Sequence, residues 1–83
     1  MDRFSLMQTF IRIAELGSMS AVAKEQGTSQ PTISKQLAAL EERLGVALLQ
    51  RTTRSLSLTE AGASYYEAAR RILDEVETLE GNV

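Results

Sequence analysis

Between Gly27 and Leu44 the chain reads GTSQPTISKQLAALEERL. Within it, Gln30, Pro31, Ser34 and Lys35 make a set suited to the edges of bases. A Gln amide can bond adenine through two atoms, Lys can reach guanine acceptors, and a proline ring can touch a thymine methyl. Thr32 lies on the flank, positioned either for a phosphate or for packing. Ser18, Ser20, Thr28 and Ser29 fall where helices begin, and there hydroxyls and free N–H groups can hold phosphates or cap. Further on, Thr53 and Arg54 lie between two short extended pieces. An Arg at such a tip suits a narrow minor groove, where the potential is most negative. Arg51, inside the first piece, can bond a phosphate or a carboxylate of its own domain.

Catalytic chemistry finds no comparable set. The chain has no His and no Cys, which removes disulfides and ordinary zinc sites. Glu41 and Glu42 are adjacent on a helix, so they point about 100° apart and cannot share a site. They read as solvated charges. No nucleophile–base pair and no Gly-rich phosphate loop is present, so neither an enzyme nor a metal or cofactor is expected.

The elements that must position the base-reading set follow from periodicity and punctuation. Ile33, Leu37, Leu40 and Leu44 recur at helical spacing and form one apolar stripe. Ser29 can cap that helix, and Pro31 fits its first turn, where a missing N–H costs nothing. Opposite the stripe stand Pro31, Ser34, Lys35 and Ala38, with Gln30 beside them and no acid before Glu41. A slim, polar N-terminal half without carboxylates suits the DNA major groove. It reads as a recognition helix.

Upstream, residues 4–16 form a helix whose polar positions after Ser5 are Gln8, Thr9, Arg12 and Glu15, so its remaining surface should be covered on two sides. Gly17 ends it, and Ser18 or Ser20 caps a second helix of about 20–26 that buries Val22 and Ala23. Gly27 then supplies the positive φ for a tight turn. Helix, short turn and helix make a helix-turn-helix. Residues 48–51 and 56–58 read as a two-stranded hairpin, or wing, with Leu56 and Leu58 facing the core. Thr59 caps a long helix over about 60–81.

In that last helix Gly62, Tyr65, Ala69, Ile72, Val76, Leu79 and Val83 keep a heptad spacing. Tyr65, Ala69, Ile72, Val76 and Leu79 are the expected seam of a homodimer. Glu67 with Arg71, and Arg71 with Glu75, can pair on the outer face. Charge divides in the same place. Residues 1–59 hold seven Lys/Arg against five acids, whereas 60–83 hold two Arg against six acids. The chain's net charge of −2 therefore hides a basic N-terminal part. The 83 residues, 43% of them hydrophobic, make one small globular domain and contain no apolar run that would span a membrane. A cytoplasmic location is the default reading.

These residues in order resemble the N-terminal DNA-binding domain of LysR-type transcriptional regulators. The likeness runs through Phe10, Glu15, Gly17-Ser18, Ser29-Gln30-Pro31, Ile33 to Leu37, Leu40-Glu41, Leu44-Gly45, Leu48, Arg51, Arg54 and Leu58 to Gly62. Val22 and Gln26 depart from it, standing where alanine and leucine are commoner. The resemblance implies a mainly α fold, a winged helix-turn-helix with a three-helix core and a small two-stranded wing (1–59), then a long linker and dimerisation helix (60–83). It also implies double-stranded DNA as partner, in the form of an interrupted inverted repeat with A·T-rich half-sites, and a higher oligomer in the full-length parent. A small-molecule effector would act only through a larger domain outside this chain. The amino-terminal domain of molybdate-responsive regulators is similar. The rival from another class is a winged helix that docks proteins through the seam. Lys35 and Arg54 favour DNA, because a docking surface would more often be apolar there.

Overall fold

Three turns made by glycine divide the helices of the computed structural model, which describes residues 2–51 and 56–81. Helix α1 (Arg3–Leu16) ends on Gly17, α2 (Met19–Gln26) on Gly27 and α3 (Gln30–Leu44) on Gly45, each at φ near +70°. Side chains with a Cβ rarely take that conformation, so these glycines fix where each helix stops. Each start is capped as well, by Asp2, Ser18 and Ser29 in turn. Strands β1 (Leu49–Arg51) and β2 (Leu56–Leu58) pair antiparallel, with Leu49 opposite Leu58 and Arg51 opposite Leu56. Helix α4 (Glu60–Gly81) follows at once and, with 22 residues, is about 33 Å long.

The main core lies where α1, α2 and α3 meet the wing. Phe10, Ile13, Val22, Ile33, Leu40 and Leu48 are each almost fully buried there. Leu56 and Leu58 of β2 pack against this cluster, as their alternation with Ser57 indicates. A second cluster forms on the other flank of α1, where Met7 and Ile11 meet Ala69 and Leu73 of α4. Helix α1 is thus covered on two sides. Tyr65 and Tyr66 bridge the clusters, and the Phe10 and Tyr65 rings meet edge to face at 5.3 Å. That geometry adds about 0.5–1.5 kcal/mol to simple burial.

The join between wing and α4 is close. Thr59 donates from Oγ1 to the Ala47 carbonyl at 2.6 Å and accepts from the Gly62 N–H at 2.9 Å. A Cβ at Gly62 would be driven into the Leu48 carbonyl oxygen. Gly62 is therefore needed for space and not for its backbone angles. Among the described residues no helix is long and apolar enough to cross a membrane.

Leu44, placed in the apolar stripe by its spacing, is 42% exposed. It lies in the last turn of α3, beyond the reach of the main core, and borders an open cleft shared with Met7, Tyr65 and Ile72. The other stripe residues, Ile33, Leu37 and Leu40, are buried.

Candidate nucleic-acid interface

The cap on α3 sets what its first turns present. Ser29 Oγ accepts the Thr32 N–H at 3.3 Å and lies 2.9 Å from Thr32 Oγ1, so the two hydroxyls hold each other. Thr32 and Ser34 are half-buried, while Gln30, Pro31, Lys35 and Ala38 are exposed. Among the described residues Lys35 forms no ion pair. Its ammonium is therefore available to an incoming anion.

Two hydroxyls take roles that spacing alone left open. Ser18 caps α2, accepting the Ala21 N–H at 3.1 Å. Ser20, within the first turn of α2, instead donates from Oγ to Oε1 of Gln30 at 2.9 Å. This bond links the first turns of α2 and α3 across the turn at Gly27. Thr28 sits in that turn, its N–H bonded to the Ala23 carbonyl at 2.8 Å and its side chain exposed.

Two of the acids, Glu15 of α1 and Glu25 of α2, are paired with Arg12. Arg12 grips Glu25 through two bonds, Nε to Oε2 at 3.0 Å and Nη2 to Oε1 at 2.7 Å, and reaches Glu15 at 2.7 Å. The bond to Glu25, and then that to Glu15, raises the Arg12 pKa above its ordinary value. Arg12 in turn lowers the Glu25 pKa. For Glu15, burial raises the pKa, but the Tyr66 hydroxyl at 2.9 Å and Arg12 outweigh it, so the net shift is downward. With these carboxylates paired, the field around the start of α3 is less negative than a count of acids suggests.

A polar contact that sequence reasoning missed supports the back of α3. Thr9, one of the polar positions of α1, is buried, donating to Gln36 Oε1 at 3.0 Å and accepting from Gln26 Nε2 at 3.3 Å. The signal was in its spacing, three from Leu6 and four from Ile13, both core residues. Gln26, where leucine is commoner in the resembling family, takes a place in this network and not in the apolar core. Glu41 also corrects its reading as a solvated charge. Its Oε2 accepts the N–H groups of Leu48 at 2.7 Å and Leu49 at 3.3 Å, closing the backbone where the wing begins. No local pattern gives this, because the turn at Gly45 creates the meeting.

In the wing, the Arg51 backbone pairs with Leu56, whereas Thr53 and Arg54 lie outside the described residues. On α4 the heptad seam divides. Ala69 is buried in the chain's own second cluster and Tyr65 is half-buried against Phe10, whereas Ile72 and Leu79 are 51% and 69% exposed and Val76 is half-exposed. Periodicity marks an apolar face without saying what covers it, and here α1 covers the first half. Leu73, absent from the seam, is buried with Ala69. The outer-face pairing also differs from expectation. Arg70 meets Asp74 at 2.8 Å and Glu15 at 3.5 Å, since it stands on the side toward α1.

The arrangement of helices, wing and long final helix matches a known sequence pattern. The family described as bacterial regulatory helix-turn-helix protein, lysR family, aligns with residues 4–63. The chain belongs to the LysR family. The uncharacterised HTH-type transcriptional regulator YhjC of Escherichia coli K12 is 43% identical over 81 residues, which is 98% of this chain and 27% of that protein. The HTH-type transcriptional activator AaeR of the same organism is 44% identical over 79 residues, 95% of this chain and 26% of that protein. The chain thus spans about a quarter of the length of these LysR-family relatives. Among solved structures, the CbnR DNA-binding domain in complex with DNA superposes with a TM-score of 0.84 at 46% identity, covering 98% of this chain and 92% of that one. The BenM DNA-binding domain bound to a catB site superposes with a TM-score of 0.90 at 29% identity, covering 96% and 90%.

Proposed function

We propose that this chain is the double-stranded-DNA-binding part of a bacterial LysR-family transcription regulator. The observation that carries the reading is the first half of α3. It presents Gln30, Pro31 and Lys35 to solvent on a capped helix, while Glu15 and Glu25 are held by Arg12. DNA complexes of related domains, those of CbnR and BenM, support the same reading. Gln30, Pro31, Ser34 and Lys35 meet base edges in the major groove. Ser18, Thr28, Ser29, Thr32 and Arg51 serve the phosphates, and Thr53 and Arg54 serve the adjacent minor groove.

A single such helix reads too few base pairs to specify a site, so two copies must be held at fixed spacing. In this reading residues 1–59 bind DNA and the helix from residue 60 onward joins two copies on an A·T-rich inverted repeat. Any effector acts through a domain outside this chain, and the working compartment is the cytoplasm. Sites selected from a random duplex pool, then titrated beside non-specific DNA, provide the test. Gln30→Ala and Lys35→Ala should each weaken the selected site roughly tenfold, since a good base contact is worth about 1–3 kcal/mol. Equal and small losses on both duplexes would show that these side chains do not read bases.

A further inference from the structure

Glu41 lies on α3, but its carboxylate serves the wing. It stands eleven residues beyond Gln30, about 16–17 Å along the helix and away from the base-reading turns. Half-buried there, it accepts through Oε2 the Leu48 N–H at 2.7 Å and the Leu49 N–H at 3.3 Å. These two N–H groups lie where β1 begins. From the other side, the Thr59 N–H donates to the Leu48 carbonyl at 3.0 Å and Thr59 Oγ1 donates to the Ala47 carbonyl. The base of the wing is thus bonded to α3 through Glu41 and to the start of α4 through Thr59.

A hairpin of two three-residue strands is at best marginally stable alone, so its direction comes from what its base is tied to. Leu49, Leu56 and Leu58 pack against the core and set how deep the wing sits. Contacts of that kind have no direction. Two N–H groups converging on one oxygen do, and bonds to an ionised acceptor are the stronger kind. Contacts by α3 in the major groove and by the wing in the minor groove can be made together only at the right angle between the two elements.

We infer that Glu41 is a positioning residue for DNA binding: it aims the wing relative to α3, so that flanking sequence is read together with the core site. This deepens the proposed function and rests on the wing serving the minor groove. Glu41 itself touches no DNA; it acts through the backbone of Leu48 and Leu49.

Titration of the 83-residue chain on one selected core site, carrying either A·T or G·C flanks, tests the inference. The readout is the ratio of the two affinities. A smaller folded fraction weakens both duplexes equally and leaves that ratio unchanged. The parent should favour A·T flanks, and Arg54→Ala should lose that preference. Glu41→Ala should lose it to the same extent while keeping its discrimination among bases of the core site. Combining it with Arg54→Ala should change the ratio no further, since both act on one contact. Glu41→Gln keeps an oxygen that can accept both N–H groups and should retain the parental ratio. Glu41→Leu keeps the side-chain stem, should behave as Glu41→Ala, and replaces it if the latter does not fold. A parental ratio in the Ala or Leu variant, with Arg54→Ala altered, overturns the assignment of Glu41 and leaves the role of the wing standing. A loss shared equally by the core bases, or a loss in Glu41→Gln as large as in Glu41→Ala, overturns it too. An unaltered ratio in Arg54→Ala removes the wing's minor-groove role, and the assignment of Glu41 falls with it.

Discussion

At the scale of single residues, the tightest constraint is Gly62. Its backbone lies so near Leu48 that any side chain must push the wing and α4 apart. The obstructing atom is a carbonyl in a buried, paired stretch, which cannot swing aside as a side chain tip would. Gly62→Ala should therefore destabilise the fold although alanine favours helices. Forcing one methyl into a packed site costs about 1–3 kcal/mol, or several degrees in Tm for a domain of this size. Thermal melts of the two proteins check this; an unchanged or higher Tm would mean that the wing yields freely.

Residue chemistry also sets an acid limit. Glu15 and Glu25 are held below the ordinary carboxylate value of 4.5, Glu25 chiefly by Arg12 and Glu15 by Tyr66 and Arg12 against the opposing effect of burial. A carboxylate whose pKa is lower in the folded chain binds fewer protons there than when unfolded. Its contribution is full above 4.5 and is lost as pH falls through the depressed values. Chemical denaturation between pH 7 and pH 3 should show a fall on the acid side, and Arg12→Leu should make that fall shallower. These groups are largely exposed, so the effect is modest and shrinks in high salt.

At the scale of elements, α3 was the most legible part. One stripe, one cap and two flanking glycines fixed its bounds and its polar face, because all of these are local. The features that were not legible depend on chain segments meeting in space. Glu41 finds the N–H groups of Leu48 and Leu49 only after Gly45 has turned the chain. Leu44 continues the spacing of Leu40 but has left the core by one turn. Ala69 belongs to the heptad and yet is spent on α1. A repeat records that a face is apolar, and only packing decides whose atoms cover it. Thr9 is intermediate: it stands three from Leu6 and four from Ile13, which is core spacing, while its hydroxyl put it among the polar positions. Burial won because Gln26 and Gln36 satisfy the hydroxyl.

At the scale of the whole molecule, the proposed pairing of two copies falls on the part of the seam that the protomer leaves open, around Ile72, Val76 and Leu79. Ile72 is the informative residue, since half its surface is already exposed and its loss does not open the core. Ile72→Asp would place an unpaired charge at the centre of a dimer, a cost of about 3–5 kcal/mol. The expected result is a folded monomer that loses binding to inverted repeats but retains weak, salt-sensitive binding to single half-sites. Sedimentation equilibrium of parent and mutant, with gel shifts on full and half sites, reads both outcomes. A parent that stays monomeric at high concentration, or a mutant that still dimerises, would remove this helix as the interface.

Helix α4 itself carries a consequence of its length. Among the described residues none beyond Leu73 is buried, so the last two turns gain little from packing against the rest of the chain. A free helical end of that length frays in water, because propagation barely offsets the entropy of each residue fixed. Its order should then depend on protein concentration: amides after Asp74 exchange quickly with solvent deuterium in dilute samples and slowly where copies meet. In the proposed pairing the ordering entropy of this tail is lost at the moment of association, which weakens the pairing but lets it be reversed.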